Sequence, residues 1–337
     1  TAMTTNAKKG RIFSGMRPSG RLHLGNHIGA LQNWVNLQKE YECIYCAVDI
    51  HALTDTASKE AALQIQPNIY EMVLDWLAAG LDPEKSIIFV QSHVREVMVL
   101  HGILSMFTPM GWLMRVPTFK EKLRQLDATE HTVSYGLVGY PVLMTADIVL
   151  YKADTVPVGE DQLPHLELAR EVVRRFNHLF GPTFPEPKAK LTTYPLVIGL
   201  DGQSKMSKSL DNHIELAASP EETAKKVMTA VTDPNRKFLA DPGRPEICNV
   251  FALHKYFNPD QVNQIHQQCT SASIGCVQDK QLLAKGINDK LRDLRERRQE
   301  LASKKGLVEE VLMHGAAKAQ TIAKETLGQV MERIGLA

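Results

Sequence analysis

Two segments set far apart in this chain carry side chains suited to holding phosphate: Pro18-Ser-Gly-Arg-Leu-His-Leu-Gly-Asn26 near the start and Lys205-Met-Ser-Lys-Ser209 past the midpoint. His23 and Asn26 stand three apart at a helix start and so share a face. The helix amino end there adds backbone N–H donors and partial positive charge. Gly25 between them has no side chain, which lets a flat base lie against the backbone. Lys205 and Lys208 are also three apart, in the Gly-, Ser- and Asp-rich stretch 201–209 that cannot be a core element. Two ammonium groups on such a loop can close over a polyphosphate and hold a departing pyrophosphate. Taken singly, the segments also read as a glycine turn with a surface histidine and as a solvated lysine loop. Taken together, they suit a nucleoside triphosphate and an ATP-activating enzyme.

Other chemistries lose their support. The chain contains no Gly-x-Gly-x-x-Gly, no Gly-x-x-x-x-Gly-Lys-Ser/Thr, no nucleophile elbow and no His-Glu-x-x-His. No Cys/His cluster has metal spacing, so no protein-held metal site is expected. Cys43 and Cys46 form a Cys-x-x-Cys inside an apolar run that reads as a buried strand, where positions three apart face opposite sides of the sheet.

The elements that position the two segments follow from periodicity. Ile12-Phe13 opens a strand that is expected to break at Ser14-Gly15, and helical spacing begins at Ile28. A buried strand over Glu42 to Val48, a helix over Lys59 to Ala79 and a strand over Ser86 to Gln91 complete a βαβαβ order. Such alternation implies a parallel sheet whose ligands sit beyond the carboxyl ends of the strands. Residues 93–139, rich in Met, Leu and Phe, read as a helical insertion that could form a subunit interface or bury against its own domain. A helix from Tyr140 to Tyr151, a strand over Thr155 to Val158, a helix from Gln162 to about His178 and a strand around Tyr194 to Ile198 finish the second half. Past Asp211, helical periodicity over Glu221 to Val231, Asp260 to Gln268, Gln281 to Leu301 and Leu307 to Ile334 marks a second, mostly helical domain.

The expected class is therefore α/β, a Rossmann-like doubly wound parallel sheet with a helical insertion and a mostly α-helical second domain. Its parts are a loose tail or cloning remnant over residues 1–10, a catalytic domain over 11–200, a mobile Lys-Met-Ser-Lys-Ser loop over 201–211 and a helical domain over 212–311. The last helix, about 312–337, is expected to return to the catalytic domain. With 337 residues, 44% hydrophobic and 23% charged, the chain exceeds what one compact core usually takes. A formal net charge of +1 gives no whole-molecule field toward DNA, RNA or an anionic membrane. No apolar run nears the roughly 20 residues of a spanning helix, and five cysteines, an odd number, fit a reduced compartment. A cytoplasmic protein without membrane contact is expected.

Seven blocks in order resemble the class I aminoacyl-tRNA synthetases, and among them the bacterial tryptophanyl branch. They are Phe13-Ser-Gly-Met-Arg-Pro-Ser-Gly20, His23-Leu-Gly-Asn26, Val48-Asp-Ile-His51, Phe119-Lys-Glu-Lys122, Tyr140-Pro-Val-Leu-Met-Thr-Ala-Asp147, Val156-Pro-Val-Gly-Glu-Asp-Gln162 with His165, and Lys205 to Ser209. The resemblance implies ATP and Mg²⁺, L-tryptophan and tRNA(Trp) as partners, a homodimer, and anticodon recognition by the helical domain. It implies that Lys205, Lys208, His23, Asn26 and Lys120 serve the chemical step. Arg17, Ser19, Gly25, Asn26, Gly159, Asp161, Gln162, Lys205, Met206, Ser207, Lys208 and Ser209 would surround ATP. Phe13, Gly15, His51, Tyr140, Met144, Asp147, Val156, Val158 and Gln162 would form the amino-acid pocket, with Asp147 accepting the indole N–H and Met144 on the ring. Tyrosyl relatives usually carry Gln at the Met144 position and a Tyr hydroxyl at the Phe13 position. Two departures from the pattern are Arg17, where Gln is frequent, and Leu163-Pro164 in place of a polar pair. Open alternatives are a tyrosyl-type enzyme and a synthetase-like protein that senses tryptophan or docks onto a partner. Arg292, Arg295, Arg297 and Arg298 with Lys304 and Lys305 read either as a phosphate-contacting stretch or as a solvated, salt-bridged helix.

Overall fold

The computed structural model describes residues 8–56, 58–125, 129, 132–192 and 196–337. Strands β1 (Arg11–Met16), β2 (Glu42–Ala47), β3 (Ser86–Val90), β4 (Thr155–Val158) and β5 (Lys188–Leu191) form one parallel sheet in the order β3-β2-β1-β4-β5. Alternate residues of β2 enter different cores: Cys43, Tyr45 and Ala47 pack on one face of the sheet, Ile44 and Cys46 on the other. The two thiols thus lie on opposite sides, as their spacing requires.

Between β1 and β2 the chain forms α1 (Leu24–Asn26), a π-turn (His27–Leu31) and α2 (Gln32–Leu37) without interruption. After β2 come α3 (Asp49–Ala52), α4 (Lys59–Leu63) and α5 (Ile65–Ala79), the last ending on Gly80 at φ 113°. After β3 follow α6 (Glu96–Phe107), α7 (Met110–Met114), α8 (Pro117–Gln125), α9 (Tyr135–Val138) and α10 (Tyr140–Leu150). Then α11 (Leu163–Phe180) lies between β4 and β5, and α12 (Pro220–Met228), α13 (Asn249–Phe257), α14 (Val262–Thr270), α15 (Cys276–Ser303) and α16 (Leu307–Ile334) complete the chain.

Several expected boundaries differ. β1 runs through Ser14-Gly15 to Met16, because both residues pair with β2 and Gly15 sits against Val48, where a Cβ would fall 2.7 Å from its Cγ1. The helix read over Lys59 to Ala79 breaks at Gln64, since Pro67 has no N–H for residue 63 and its ring crowds that carbonyl. The fifth strand is Lys188–Leu191; of the segment expected around Tyr194 to Ile198, Tyr194 and Pro195 lie outside the described residues, and Ile198 makes only an isolated bridge with Lys205. Of the tail read over 1–10, residues 1–7 lie outside the described part, and Lys9 and Gly10 are tied by backbone hydrogen bonds to Glu40 and Glu42. α13 has no counterpart in the sequence reading.

The helical part shares a core with the sheet: Leu283, Ile287, Leu291 and Leu294 of α15 join the cluster that holds Tyr45 and Val90. α16 crosses the open edge of β3. Its Val308, Val311 and Leu312 pack in one core and its Ala319, Ala323 and Val330 in the other, which covers a strand edge that would otherwise invite pairing. The crossing point is Gly315, where an added Cβ would lie 1.8 Å from the Ile88 carbonyl oxygen. Gly315→Ala is therefore expected to lower the thermal midpoint, with an overpacking cost of about 1–3 kcal/mol or more. An unchanged midpoint would contradict this packing.

Candidate active site

The candidate residues gather beyond the carboxyl ends of parallel strands. Arg17 to Arg21 follow β1, His51 follows β2, Gln91 follows β3 and Gly159 to Gln162 follow β4. The order β3-β2-β1-β4-β5 reverses direction between β1 and β4, which opens a crevice there.

At the phosphate end, His23 caps α1: its Nδ1 accepts the Asn26 N–H at 3.3 Å, while Asn26 Oδ1 accepts the His23 N–H at 3.0 Å. Burial, with His213, Lys208 and Lys205 nearby, lowers the His23 pKa to about 4. The ring is neutral at pH 7 and, with Nδ1 accepting, presents Nε2–H as a donor. The lysine loop lies directly on this turn. A Cβ at Gly25 would stand 3.3 Å from Met206 Cβ, and Lys208 Nζ donates to the Ser19 carbonyl at 2.8 Å. Backbone bonds from Leu24 N to Ile214 O (3.0 Å) and from Leu216 N to Leu22 O (2.9 Å) join the first segment to the stretch that follows the lysine loop.

Asn212 shapes the loop. Its Oδ1 accepts Ser207 N–H at 2.7 Å, and its Nδ2 donates to Asp201 Oδ2 at 2.9 Å and Lys205 O at 3.2 Å. Only glycine fits beside it at position 199, where a Cβ would meet the amide at 2.2 Å. Ser207 and Ser209 share a hydroxyl hydrogen bond of 2.9 Å. Lys208 is half-buried, and burial lowers its pKa against the pull of Glu215 and Asp75.

Across the crevice, Asp147 on α10 is 2% exposed. Its Oδ2 accepts Gln91 Nε2 at 2.7 Å, whereas its Oδ1 has no hydrogen-bond partner among the described residues. Burial raises the Asp147 pKa to about 8, with Gln91 pulling it down and Asp49 pushing it up. Gln91 is the hub: its Oε1 accepts Ile50 N at 3.0 Å and His51 N at 3.3 Å, and its Nε2 also donates to His51 Nδ1 at 2.9 Å. Burial lowers the His51 pKa to about 4, and the charge of Arg17 acts in the same direction. The 3.5 Å approach of His51 Nδ1 to Asp147 Oδ2 is thus no ion pair at pH 7, because the imidazole is neutral and most of the carboxyl is protonated.

From His51 the contacts continue to β4. Its ring meets the Tyr140 ring edge-on at 4.4 Å between centroids, and Tyr140 lies 6.4 Å from His165. His165 Nδ1 pairs with Gln162 Oε1 at 3.0 Å, and Gln162 Nε2 donates to Asp161 Oδ2 at 3.2 Å. A Cβ at Gly159 would touch Asp161 Oδ1 at 2.7 Å. Met144 and Val158 are partly buried against the core below the crevice, and Val156 is buried in it. Phe13 is buried in that same core, stacked on Tyr151 at 5.6 Å with planes 10° apart. Lys120 stands on an exposed face of α8, and Ser19 and Gly15 are exposed.

Gln91 escaped the sequence reading, as did Asp49, whose carboxylate fixes the next turn through Ser92 N at 3.0 Å and Ser92 Oγ at 2.5 Å. The available signal was position: Gln91 is the first residue past a buried strand, on the ligand edge of the sheet. An unpaired buried polar atom costs on the order of 1–3 kcal/mol, which makes Asp147 Oδ1 a candidate contact for a ligand. The site offers neutral, prearranged donors and acceptors at one end and two ammonium groups at the other.

Residues 5–292 match the family described as tRNA synthetases class I (W and Y). The tryptophan–tRNA ligase of Aquifex aeolicus is 41% identical to this chain, covering 97% of it and 100% of its own length. That of Thermotoga maritima is 43% identical, covering 97% and 99%. The chain is also similar to the crystal structure of a tryptophanyl-tRNA synthetase from Campylobacter jejuni complexed with ADP and tryptophan, at 36% identity and a TM-score of 0.86, covering 97% of this chain and all of that one.

Proposed function

The chain belongs to the class I tRNA synthetases of the tryptophan and tyrosine kind, and on that premise we infer that it is a tryptophan–tRNA ligase. It uses ATP to convert L-tryptophan into tryptophanyl-adenylate and pyrophosphate, then transfers the amino acid to the 3′ end of tRNA(Trp). The observation that carries the amino-acid assignment is Asp147 Oδ1, a buried acceptor without a donor among the described residues, on a side chain 3.5 Å from His51 and at helical spacing from Tyr140 and Met144 on α10. An indole N–H supplies the missing donor. The alternative substrate, tyrosine, finds neither a hydroxyl at Phe13 nor an amide at Met144.

In the chemical step the tryptophan carboxylate attacks the α-phosphorus and the bond to pyrophosphate breaks. No protein nucleophile is required, so the side chains align reactants and balance charge. His23 Nε2–H and Asn26 on one side, and Lys205 and Lys208 on the other, hold the triphosphate. Gly25 leaves room for adenine. Arg17, Ser19, Gly159, Asp161, Gln162 and Lys120 complete the nucleotide's surroundings, and His51, Tyr140 and Gln162 face the substrate ammonium. Mg²⁺ would travel on the phosphates, ligated by phosphate oxygens and water and supplying charge neutralisation there.

The enzyme works as a cytoplasmic homodimer. Met98, Val99, Met106 and Met110 of α6 and α7 are each exposed on the insertion, apolar side chains that a second subunit would cover.

Tryptophan affinity depends on pH through Asp147. The folded-state pKa of about 8 leaves the carboxyl mostly protonated at neutral pH, and an ionised carboxylate accepts the indole N–H more strongly. The KM for tryptophan is therefore expected to fall as pH rises from about 6.5 to 8.5, with the KM for ATP flat across it. Steady-state exchange kinetics at several pH values check this, and a tryptophan KM that is flat or rises would count against it. The function itself is tested by amino-acid-dependent ATP–pyrophosphate exchange over all twenty amino acids, followed by charging of total tRNA. Strong exchange with tryptophan alone is expected, and exchange with tyrosine instead would overturn the assignment.

A further inference from the structure

The four arginines of the basic stretch on α15 are occupied by contacts within the chain. Arg292 pairs with Asp289 and Lys304 with Glu300. Arg297 donates to the Ala78 carbonyl at the end of α5 at 2.8 Å. Arg295 and Arg298, three apart and so on one face, bond to residues that in turn hold the backbone around the His23 turn. Arg298 Nε lies 2.6 Å from Asp75 Oδ1, and its second nitrogen lies 2.6 Å from Glu71 Oε2. The other oxygen of Asp75 accepts the Leu22 N–H at 2.7 Å, one residue before His23. Glu71 Oε2 also holds Arg21 at 2.8 Å, and Arg21 approaches Glu215 at 3.7 Å. Arg295 Nε donates to the Leu216 carbonyl at 2.9 Å, while its remaining nitrogens hold Asn288 and Thr223 at 2.7 and 2.9 Å. Leu22 and Leu216 share one of the two backbone bonds that join the His23 turn to the stretch just after the lysine loop.

We propose that Arg298 and Arg295 are positioning residues which, through Asp75, Glu71 and Leu216, set the spacing between the His23 turn and the Lys205–Lys208 loop. Neither touches the expected path of ATP. Asp75 is fully buried and the Arg298 side chain is 11% exposed, so the pair cannot be traded for water contacts and its geometry is transmitted to the backbone of Leu22. Four charged groups from α15, α5 and the turn then move as a unit with the amide that precedes His23. Residues of one hydrogen-bonded network couple energetically, whereas distant independent ones add. The clamp therefore predicts that its loss matters only when the lysine it positions is present.

The proposal rests on the ATP chemistry inferred above, and a double-mutant cycle of Arg298→Gln with Lys208→Ala in pyrophosphate exchange separates the two. Arg298→Gln is expected to lower kcat about tenfold and to leave the tryptophan KM within about twofold, since coupling within such a network is worth about a factor of ten. In the Lys208→Ala background the same substitution is expected to change kcat by less than about twofold. Equal losses in both backgrounds, or a tryptophan KM that rises as much as that of ATP, would overturn the clamp. A wild-type protein without tryptophan-dependent exchange would instead overturn the ligase reading, and the clamp with it. Should Arg298→Gln fail to fold because Asp75 is left buried without its partner, Glu71→Gln, which weakens the half-buried arm of the network, takes its place in the same cycle with the same outcomes.

Discussion

Lys208→Ala is expected to slow tryptophan-dependent pyrophosphate exchange by about 10²- to 10³-fold, the usual cost of removing one charged donor from a developing negative charge. The ammonium already sits on the turn, bonded to the Ser19 carbonyl at 2.8 Å. A triphosphate entering between His23 and Met206 offers it a stronger, charged acceptor. Lys205→Ala belongs to the same class, because the bridge between Lys205 and Ile198 fixes its backbone while Asn212 holds its carbonyl. Both variants should fold, as neither ammonium has an ion-pair partner among the described residues. Single-turnover adenylate formation measures the effect, and near wild-type rates for both variants would remove these lysines from the mechanism.

Asp147→Ala is expected to lower kcat/KM for tryptophan by about 10²-fold or more while the KM for ATP stays within about twofold, since a hydrogen bond to a buried side chain is lost and the indole N–H is left without its acceptor. The asymmetry is the informative part. Asp147 contacts Gln91 and, through it, His51 and the Ile50 backbone, all on the amino-acid side of the crevice. Its removal should leave the seat of the lysine loop untouched. Equal losses for both substrates would mean that Asp147 supports the whole crevice rather than the indole.

The His23 turn and the Lys205–Ser209 loop were legible in the sequence as local elements, because three-residue spacings, a glycine and a polar stretch suffice to read them. Buried strands with apolar neighbours were legible for the same reason, as β2 shows. β5, Lys-Ala-Lys-Leu, was not, because an edge strand with a mostly exposed surface carries no hydrophobic alternation. α13 follows a loop with exposed Phe238, Leu239 and Ile247, which blur the contrast that marks a helix start. Gln91 has no periodic signal, since its role depends on His51 and Asp147, which lie 40 and 56 residues away. The arginines of α15 read as a solvated or nucleic-acid-facing row because Asp75 and Glu71, which claim Arg298, lie 223 and 227 residues away in sequence. Local patterns identify what a segment can do; long-range partners decide which of those uses is taken up.

The most direct test replaces the indole N–H alone, by comparing tryptophan with β-(3-benzothienyl)-L-alanine, its sulfur isostere, in pyrophosphate exchange. The wild-type enzyme should use the isostere at least about 10²-fold less well by kcat/KM, because the buried carboxyl then remains without a donor, and Asp147→Ala should narrow the gap to within about tenfold. Equal use of the two amino acids by the wild-type enzyme would contradict the account.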